Sequence, residues 1–523
     1  MSFLTKFIFG SLICVTYPAL SQCECLEVSL PSGIYPTGTV LNANSNIKNG
    51  VLKYTLDGSD PTWISPRWED EKPLNSSLLS TSKNHYINIS ARNRSFYFDE
   101  DVKRIITIGF ASFDSTTGLQ QCPTSFYSYA LKKDAPTIPI LSVIGNEHDL
   151  FDYKQGILNP GILRDSSRAG NCDLRGREHE REVEVTYLPL KGPSQSLVMG
   201  ISCHGGTARQ TQQKGIRLKS RKEYGGGYLN MFMFGKEIQL QECALKPTSI
   251  TYSRLGVEDY LGSFLANTLE LNAPWQNFVE VYINGIYHGL YTAQERINKN
   301  WLKTNMGAKK PVIVSSWNDK TNTDFVNMMV FLETADLTDP IQYAFIDSVL
   351  DLNAFIKYQI LEQFIMNRDW PNANIKFWRD IADPTSKWKP IFYDGDAGFF
   401  FINFDPLINA MGESQCKRCR TTPRAGLLMR KLWANPNFRN IYIETSFLLV
   451  NGLLSYEKTG PLSDNLLDII KPAHLEMAQR FKHTSHDSFN TSWQHLHRFL
   501  KMQPKRLMDY LCKYESGVSF EWE

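Results

Sequence analysis

Asn367-Arg368-Asp369-Trp370-Pro371-Asn372-Ala373-Asn374 and, further along, Ile391-Phe392-Tyr393-Asp394-Gly395-Asp396-Ala397-Gly398-Phe399 decide how this chain is read. The first stretch follows apolar residues at helical spacing over 354–366 and precedes a strand-like run over 375–379. The second is an aromatic strand that delivers two aspartates into a glycine-bearing turn. Helix, loop, strand and carboxylate turn in that order place Asp369, Asn374, Asp394 and Asp396 in two neighbouring loops of an α+β chain.

Downstream the pattern is helical, over 426–433, 436–454 and 493–511. Upstream it is richer in strands. Residues 137–144 read as a buried strand, and 183–188 and 216–219 as further strands. Residues 252–269 carry Leu255, Leu261, Phe264, Leu265 and Leu269 at helical spacing. Asn284-Gly285 stands between the apolar runs 279–283 and 287–293, a strong signal for a tight β-hairpin. From 27 to 131 short alternating segments, among them 51–56, 86–91 and 105–111, are broken by Gly, Pro, Asn and Ser, the signature of a β-sandwich. Pro136 and Pro139 mark the boundary after it.

The whole-chain numbers fit such a globular protein. It has 523 residues, 42% hydrophobic and 21% charged, which excludes a mainly disordered, collagen-like or coiled-coil chain. Lys+Arg is 56 against 54 Asp+Glu, a net charge of +2, so no nucleic-acid partner is expected. Lys6 followed by an apolar run over 7–20, with the small residues Ala19 and Ser21, reads as a secretory signal peptide over 1–21. No later stretch is long and apolar enough to span a membrane. The expected location is secreted or at the cell surface, with a lipid anchor on Cys23 as a minor option. Of ten cysteines, Cys14 leaves with the signal. Cys23, Cys25, Cys122, Cys172, Cys203, Cys243, Cys416, Cys419 and Cys512 remain, an odd number of which several are expected to pair in an oxidising compartment. Cys416 and Cys419 have metal-ligand spacing without a second pair, so a disulfide role is preferred there. Asn75, Asn88, Asn93 and Asn490 each open an Asn-x-Ser/Thr triplet, an acceptor in hosts that glycosylate it.

Phosphoryl transfer needs one carboxylate to take or orient the hydroxyl proton, an amide and a second carboxylate on Mg²⁺, and a cation on the phosphates. Asp369 and Asn374 have the spacing of a protein-kinase catalytic loop, and Asp396-Ala397-Gly398 resembles the metal-binding turn that follows it. The same residues also read as a capped turn and an ordinary bend.

Four strings resemble the spore-coat protein H (CotH) kinase family of secreted atypical kinases. They are Gly200-Ile201-Ser202-Cys203-His204-Gly205-Gly206-Thr207-Ala208-Arg209 leading to Gln213-Lys214-Gly215-Ile216-Arg217-Leu218; the hairpin 279–291 ending in Glu295-Arg296-Ile297; the 369–374 loop; and Tyr393-Asp394-Gly395-Asp396. Trp370-Pro371 departs from the family's usual loop. Residues 54–62, Tyr-Thr-Leu-Asp-Gly-Ser-Asp-Pro-Thr, resemble the accessory β-sandwich at the C-terminal end of chitobiases and hexosaminidases. The resemblance implies an Ig-like β-sandwich module over 27–133. After it comes an atypical two-lobed protein-kinase-like domain over 137–515, with an N-lobe of about 137–297 and a helical C-lobe of about 298–515. It implies ATP with Mg²⁺ or Mn²⁺ as cofactors. Asp369 becomes the catalytic base or orienter, and Asn374 and Asp394 metal ligands, with Asp396 sharing or replacing Asp394. Gly205, Gly206, Lys214, Arg217 and Glu295 take the nucleotide side, with Lys219 in reserve and Arg254 matching a family arginine. The implied function is transfer of the γ-phosphoryl of ATP to Ser or Thr of an exported or surface protein, with glycan contact by the β-module. The competing readings are a degenerate kinase fold serving as an adhesive or glycan-binding surface protein, and another group transfer on a kinase-like scaffold. A chitin-directed hydrolase would need paired carboxylates on a barrel of alternating strands and helices, and the sequence has no such pattern.

Overall fold

The structure is a computed structural model and describes residues 25–82, 102–132, 136–161, 170–248, 255–400, 404–413, 421–481 and 486–516. The signal segment 1–21, Cys23, Asn88, Asn93, the strand expected over 86–91, Arg254, Cys416 and Cys419 lie outside the described residues. Two compact units divide the chain: Met1–Pro247 with Asn277–Gln294 and Pro472–His483, and Thr248–Gln276 with Glu295–Lys471 and Thr484–Glu523.

The first unit opens with β1 (Leu26–Val28), β2 (Gly33–Pro36), β3 (Val40–Leu41), β4 (Ala43–Ser45), β5 (Gly50–Thr55), β6 (Lys72–Pro73), β7 (Ile106–Asp114) and β8 (Ser125–Lys132). A four-stranded sheet runs β2-β8-β7-β5, with β1 paired to β4 and β3 to β6 beside it. Strand β7 is buried on both faces from Ile106 to Phe113, as an inner strand of the sheet. Trp68 packs edge-on against both Tyr54 and Phe110, with ring centroids 5.2 and 5.0 Å away. Cys25 and Cys122 form a disulfide that ties the chain before β1 to the chain before β8. Cys172 and Cys203 are buried thiols; burial pushes the Cys203 thiol up to about 12.

Next come β9 (Ile140–Ile144), α1 (Glu147–Phe151), β10 (Arg181–Leu188), β11 (Gln195–Cys203), β12 (Ile216–Lys219), β13 (Leu229–Met233), β14 (Lys236–Leu240), β15 (Glu242–Pro247), β16 (Gln276–Ile283) and β17 (Ile286–Glu295). Seven of these strands close a barrel in the order β10-β11-β12-β15-β17-β16-β9. Closure joins β9 to β10 antiparallel and to β16 parallel, leaving this sheet no open edge. Ile105, just before β7, and Ala130 of β8 share a core with Ile140, Leu188, Tyr282 and Tyr287 of the barrel. The boundary read at Pro136 is therefore not a break in packing.

The Asn284-Gly285 turn forms as its sequence implies, with φ of 50° and 77°. It also does non-local work. Asn284 exchanges two hydrogen bonds with the backbone of Gly145 at 2.9 Å, and the Gly285 carbonyl accepts from the Ile105 amide at 2.9 Å. A Cβ on Gly285 would stand 2.4 Å from Ser80 Cβ. Gly285→Ala should therefore destabilise the fold by about 2–4 kcal/mol, combining left-handed strain with overpacking. Thermal unfolding of the variant against wild type checks this.

Glu180 shows how the barrel holds a buried charge. Its side chain has no exposed surface; Arg221 donates to it from Nε and, at 2.9 Å, from Nη2, and Tyr224 Oη stands at 3.3 Å. Burial alone would raise its pKa, but the Arg221 hydrogen bonds and the Arg221 and Arg217 charges prevail and hold it below the usual glutamate range. Its stabilising contribution is complete above the unfolded value of about 4.3 and is lost as pH falls through the lower folded value. Arg221→Ala leaves a buried carboxylate without its main partner, and should cost about 3–5 kcal/mol at neutral pH. Melts across pH should show the deficit shrinking below about pH 4.3, where the unfolded carboxylate is protonated.

The second unit is mainly helical: α2 (Glu258–Thr268), α3 (Lys299–Met306), α4 (Thr323–Thr334), α5 (Pro340–Val349), α6 (Leu352–Phe364), α7 (Pro406–Ala410), α8 (Leu427–Ala434) and α9 (Pro436–Asn451). α10 (Tyr456–Phe481) crosses the division at Pro472, and α11 (His486–Ser516) ends the described chain. Strands β18 (Pro311–Val314), β19 (Phe377–Asp380) and β20 (Lys389–Pro390) form one small sheet. Helix starts follow local chemistry. Asp351 caps α6 through the Ala354 amide, and Asn435 caps α9 with Pro436 at its first position.

Candidate active site

The 367–374 stretch begins where α6 stops. Met366 adopts φ 53°, its amide donates to the Gln363 carbonyl at 3.2 Å, and the Asn367 amide donates to the Glu362 carbonyl at 3.2 Å. This is a Schellman ending with methionine where glycine is usual. It turns the chain back so that Asn367 lies beside Glu362, and Asn367 Nδ2 donates to Glu362 Oε2 at 3.0 Å. Asn367 Oδ1 in turn accepts from the Asp369 amide at 3.2 Å, and the Asp369 carbonyl accepts from Ala373 N at 3.0 Å. Arg368 Nε lies 3.8 Å from Asp369 Oδ1. The Trp370-Pro371 departure is a well-anchored part of the loop. Trp370 is buried, its carbonyl accepts from Asn409 Nδ2 at 2.8 Å, and the Pro371 carbonyl accepts from Trp317 Nε1 at 2.7 Å.

The aspartate turn is braced as closely. The Phe392 amide donates to the Asn272 carbonyl at 2.8 Å. Asp394 has φ 64°, and residues Gly395–Ala397 form a single 3₁₀ turn. The Gly395 amide donates to the buried carboxylate of Asp259, on the first turn of α2, at 2.8 Å. The Phe399 amide donates to the Ile365 carbonyl at 2.7 Å, closing this turn onto the end of α6. Asn374 Nδ2 donates to the Asp394 carbonyl at 3.3 Å, so the two loops meet at the expected amide and aspartate. Met366, Asn374, Asp394 and Phe399 all have left-handed backbones within this short span. Asn and Asp tolerate that conformation; Met and Phe do so at a cost. Such strain concentrated in one place is a mark of a functional site.

Asp369, Asn374, Asp394 and Asp396 are partly exposed, while Asp259, Glu362 and Asn367 behind them are buried. Burial pushes the Glu362 carboxyl up to about 8, against the hydrogen bonds of Asn367 and Tyr358, and the Asp394 and Asp259 charges push the same way. At neutral pH Glu362 is therefore mostly protonated. The sequence assigns no role to Asp259, Glu362 or Asn367. The available signals were a glutamate inside an apolar helix and an asparagine placed to close its end.

The remaining candidates lie elsewhere in the chain. In the first unit, Gly205 has φ 87°, and a Cβ on Gly206 would meet nothing within 4 Å. Arg209 Nε donates to the Gly205 carbonyl at 2.7 Å, fixing that turn. Lys214 is 2% exposed, its Nζ donates to the Thr211 carbonyl at 3.0 Å, and its own carbonyl accepts from Tyr291 Oη at 2.9 Å. Arg217 donates to Ser202 Oγ and lies 3.6 Å from Glu180 and 3.9 Å from Glu242, which Lys219 also approaches at 3.3 Å. These cations are thus engaged by barrel carboxylates. In the second unit, Glu295 accepts from Trp275 N at 2.9 Å, Trp301 Nε1 at 2.8 Å and Asn305 Nδ2 at 2.8 Å, contacts that bracket the end of β17 to α3.

The donors of Asn374, Asp394 and Asp396 are hard oxygens, the class Mg²⁺ and Mn²⁺ take. Among the described residues no group of three or more His, Cys, Asp or Glu is placed to hold a metal ion.

Comparison with known proteins now bears on these residues. A search of curated proteins finds no match. The crystal structure of the Helicobacter pylori proinflammatory kinase CtkA aligns over 56% of this chain and 95% of that one, at 11% identity and a TM-score of 0.28. The family model described as "CotH kinase protein" matches residues 201–507, more than half of the chain and the whole span from the Gly205 turn through both aspartate loops. The chain belongs to the CotH kinase family.

Proposed function

We propose that this protein is an exported atypical kinase that transfers the γ-phosphoryl group of ATP to a Ser or Thr hydroxyl of an exported or surface protein. The observation that carries the reading is the hydrogen bond from Asn374 Nδ2 to the Asp394 carbonyl. It joins the two loops whose residue types and spacing match the transfer chemistry, inside the segment matched by the family.

In this reading Asp369 accepts the proton of the attacking hydroxyl as its oxygen bonds to the γ-phosphorus and the bond to ADP breaks. Asn374, Asp394 and Asp396 would hold the divalent cation through their side-chain oxygens. Bound with ATP, Mg²⁺ or Mn²⁺ neutralises charge on the phosphates. The nucleotide-side residues are Gly205, Gly206 and Lys214, with the open backbone at Gly206 suited to close approach. Export is supported by the Cys25–Cys122 disulfide, of the kind that persists in oxidising compartments. Among the described residues no helix is long and apolar enough to cross a membrane. We further assign the first 107-residue stretch, 27–133, to an accessory module of the chitobiase-associated sandwich type.

The test is transfer of label from γ-labelled ATP with Mg²⁺ or Mn²⁺ by the mature protein beside Asp394→Asn. Label in wild type that disappears in the variant is expected. Equal label in both would sink the assignment.

A further inference from the structure

We infer that Glu362 is a positioning residue for the catalytic aspartate, acting through the Asn367 side chain. The inference rests on the kinase reading for its functional consequence, but its structural core stands on the relay itself.

The relay runs from Glu362 Oε2 to Asn367 Nδ2 at 3.0 Å, and from Asn367 Oδ1 to the Asp369 amide at 3.2 Å. An asparagine amide has a donor end and an acceptor end, and a half-turn about its last bond exchanges them. With Glu362 accepting at the nitrogen end, the oxygen end faces the Asp369 N–H. The flipped amide would point NH₂ at that N–H and hold nothing. The Glu362 acceptor and the Asp369 N–H therefore agree on the one orientation that restrains the backbone of Asp369. The two side chains meet because the α6 ending places the Asn367 amide on the Glu362 carbonyl, so one local motif brings backbone and side chain together. Glu362 has no exposed surface and Asn367 is 1% exposed, so bulk water has no access to replace either partner. A polar side chain buried beside Asp394 and Asp259 is unfavourable as an apolar-core choice, and the acceptor role toward Asn367 accounts for it.

The experiment compares Glu362→Ala, Glu362→Gln, Asn367→Ala and the double variant Glu362→Ala/Asn367→Ala with wild type. It reads steady-state kinetics with ATP and backbone hydrogen exchange in the peptide spanning 366–372. Glu362→Met, which keeps the volume, is read in the same way should the alanine variant fold poorly. The relay predicts a kcat lower by about 10–100-fold in Glu362→Ala with the KM for ATP within about threefold, the effect of a slightly misplaced reactive group. Glu362→Gln should restore kcat to within about threefold of wild type, because its amide oxygen still accepts from Asn367. The double variant should fall no further than the singles, since both remove one connection. Exchange at the Asp369 amide should quicken in Glu362→Ala and not in Glu362→Gln. Wild-type kcat and exchange in Glu362→Ala, or a Glu362→Gln as impaired as Glu362→Ala, would overturn the inference. If wild type carries no transfer activity, the kinase reading fails, and the exchange measurement still decides whether the relay holds Asp369.

Discussion

Asp369→Asn in the mature protein should lower the rate of phosphoryl transfer by about 10²–10⁴-fold, the range supplied by a positioned general base. Asparagine has the same shape and cannot take the hydroxyl proton. The loop should survive the change, because what fixes residue 369 is mainly its backbone. Its amide donates to Asn367 Oδ1 at 3.2 Å and its carbonyl accepts from Ala373 N at 3.0 Å. Arg368 Nε lies 3.8 Å from its Oδ1, and asparagine keeps an oxygen of the same reach there. The loss should therefore fall on kcat, with the KM for ATP and the melting temperature near wild type. Initial rates against ATP concentration, beside a thermal melt, read all three. A variant with wild-type kcat would remove Asp369 from the chemistry.

The second large effect concerns stability. Cys25 and Cys122 are 97 residues apart, and a cross-link closing a loop of that length stabilises by about 4–5 kcal/mol in the chain-entropy account. Whole domains retain only about 5–15 kcal/mol, so Cys25→Ala/Cys122→Ala should bring the N-terminal sheets close to unfolding. The strands that depend on it are identifiable. β1 begins one residue after Cys25, and β8 three residues after Cys122. β8 pairs with both β2 and β7. Hydrogen exchange in β7 and β8 should quicken by about three orders of magnitude or slightly more in the variant, about the Boltzmann factor of that stabilisation. Mild reduction of the wild type should do the same. Unchanged exchange in both would mean that packing around Trp68 alone holds these sheets.

Several elements could be read directly from adjacent residues. Asn284-Gly285 forms the hairpin its chemistry demands. The helices α6, α8 and α9 stand within a few residues of their apolar patterns. The pairing of the 369–374 loop with the 394–396 turn was implied by spacing, and the Asn374 to Asp394 hydrogen bond realises it. Other features left no comparable trace. The β13–β14 hairpin turns at Phe234-Gly235, with Phe234 at φ 45°, and a phenylalanine there is no turn signal. Arg217 reads from sequence as a phosphate-seeking cation on a strand. Its engagement by Glu180 and Glu242 depends on registers that pair β12 with β11 on one side and β15 on the other.

The residue types for phosphoryl transfer, the helix ends and the tight turns were all written in short-range pattern, because backbone propensity, capping and turn chemistry act over a few neighbours. Barrel closure, by contrast, sets β16 parallel to a strand some 140 residues earlier. The brace on the aspartate turn likewise joins Gly395 to Asp259 across 136 residues. Such contacts depend on which buried donors and carboxylates meet once the chain has collapsed, and a buried polar group is satisfied by whatever partner packing brings to it. For that reason the chemistry of this site was open to a linear reading, and the supports that aim it, Asp259 and the Glu362–Asn367 relay, were decided in three dimensions.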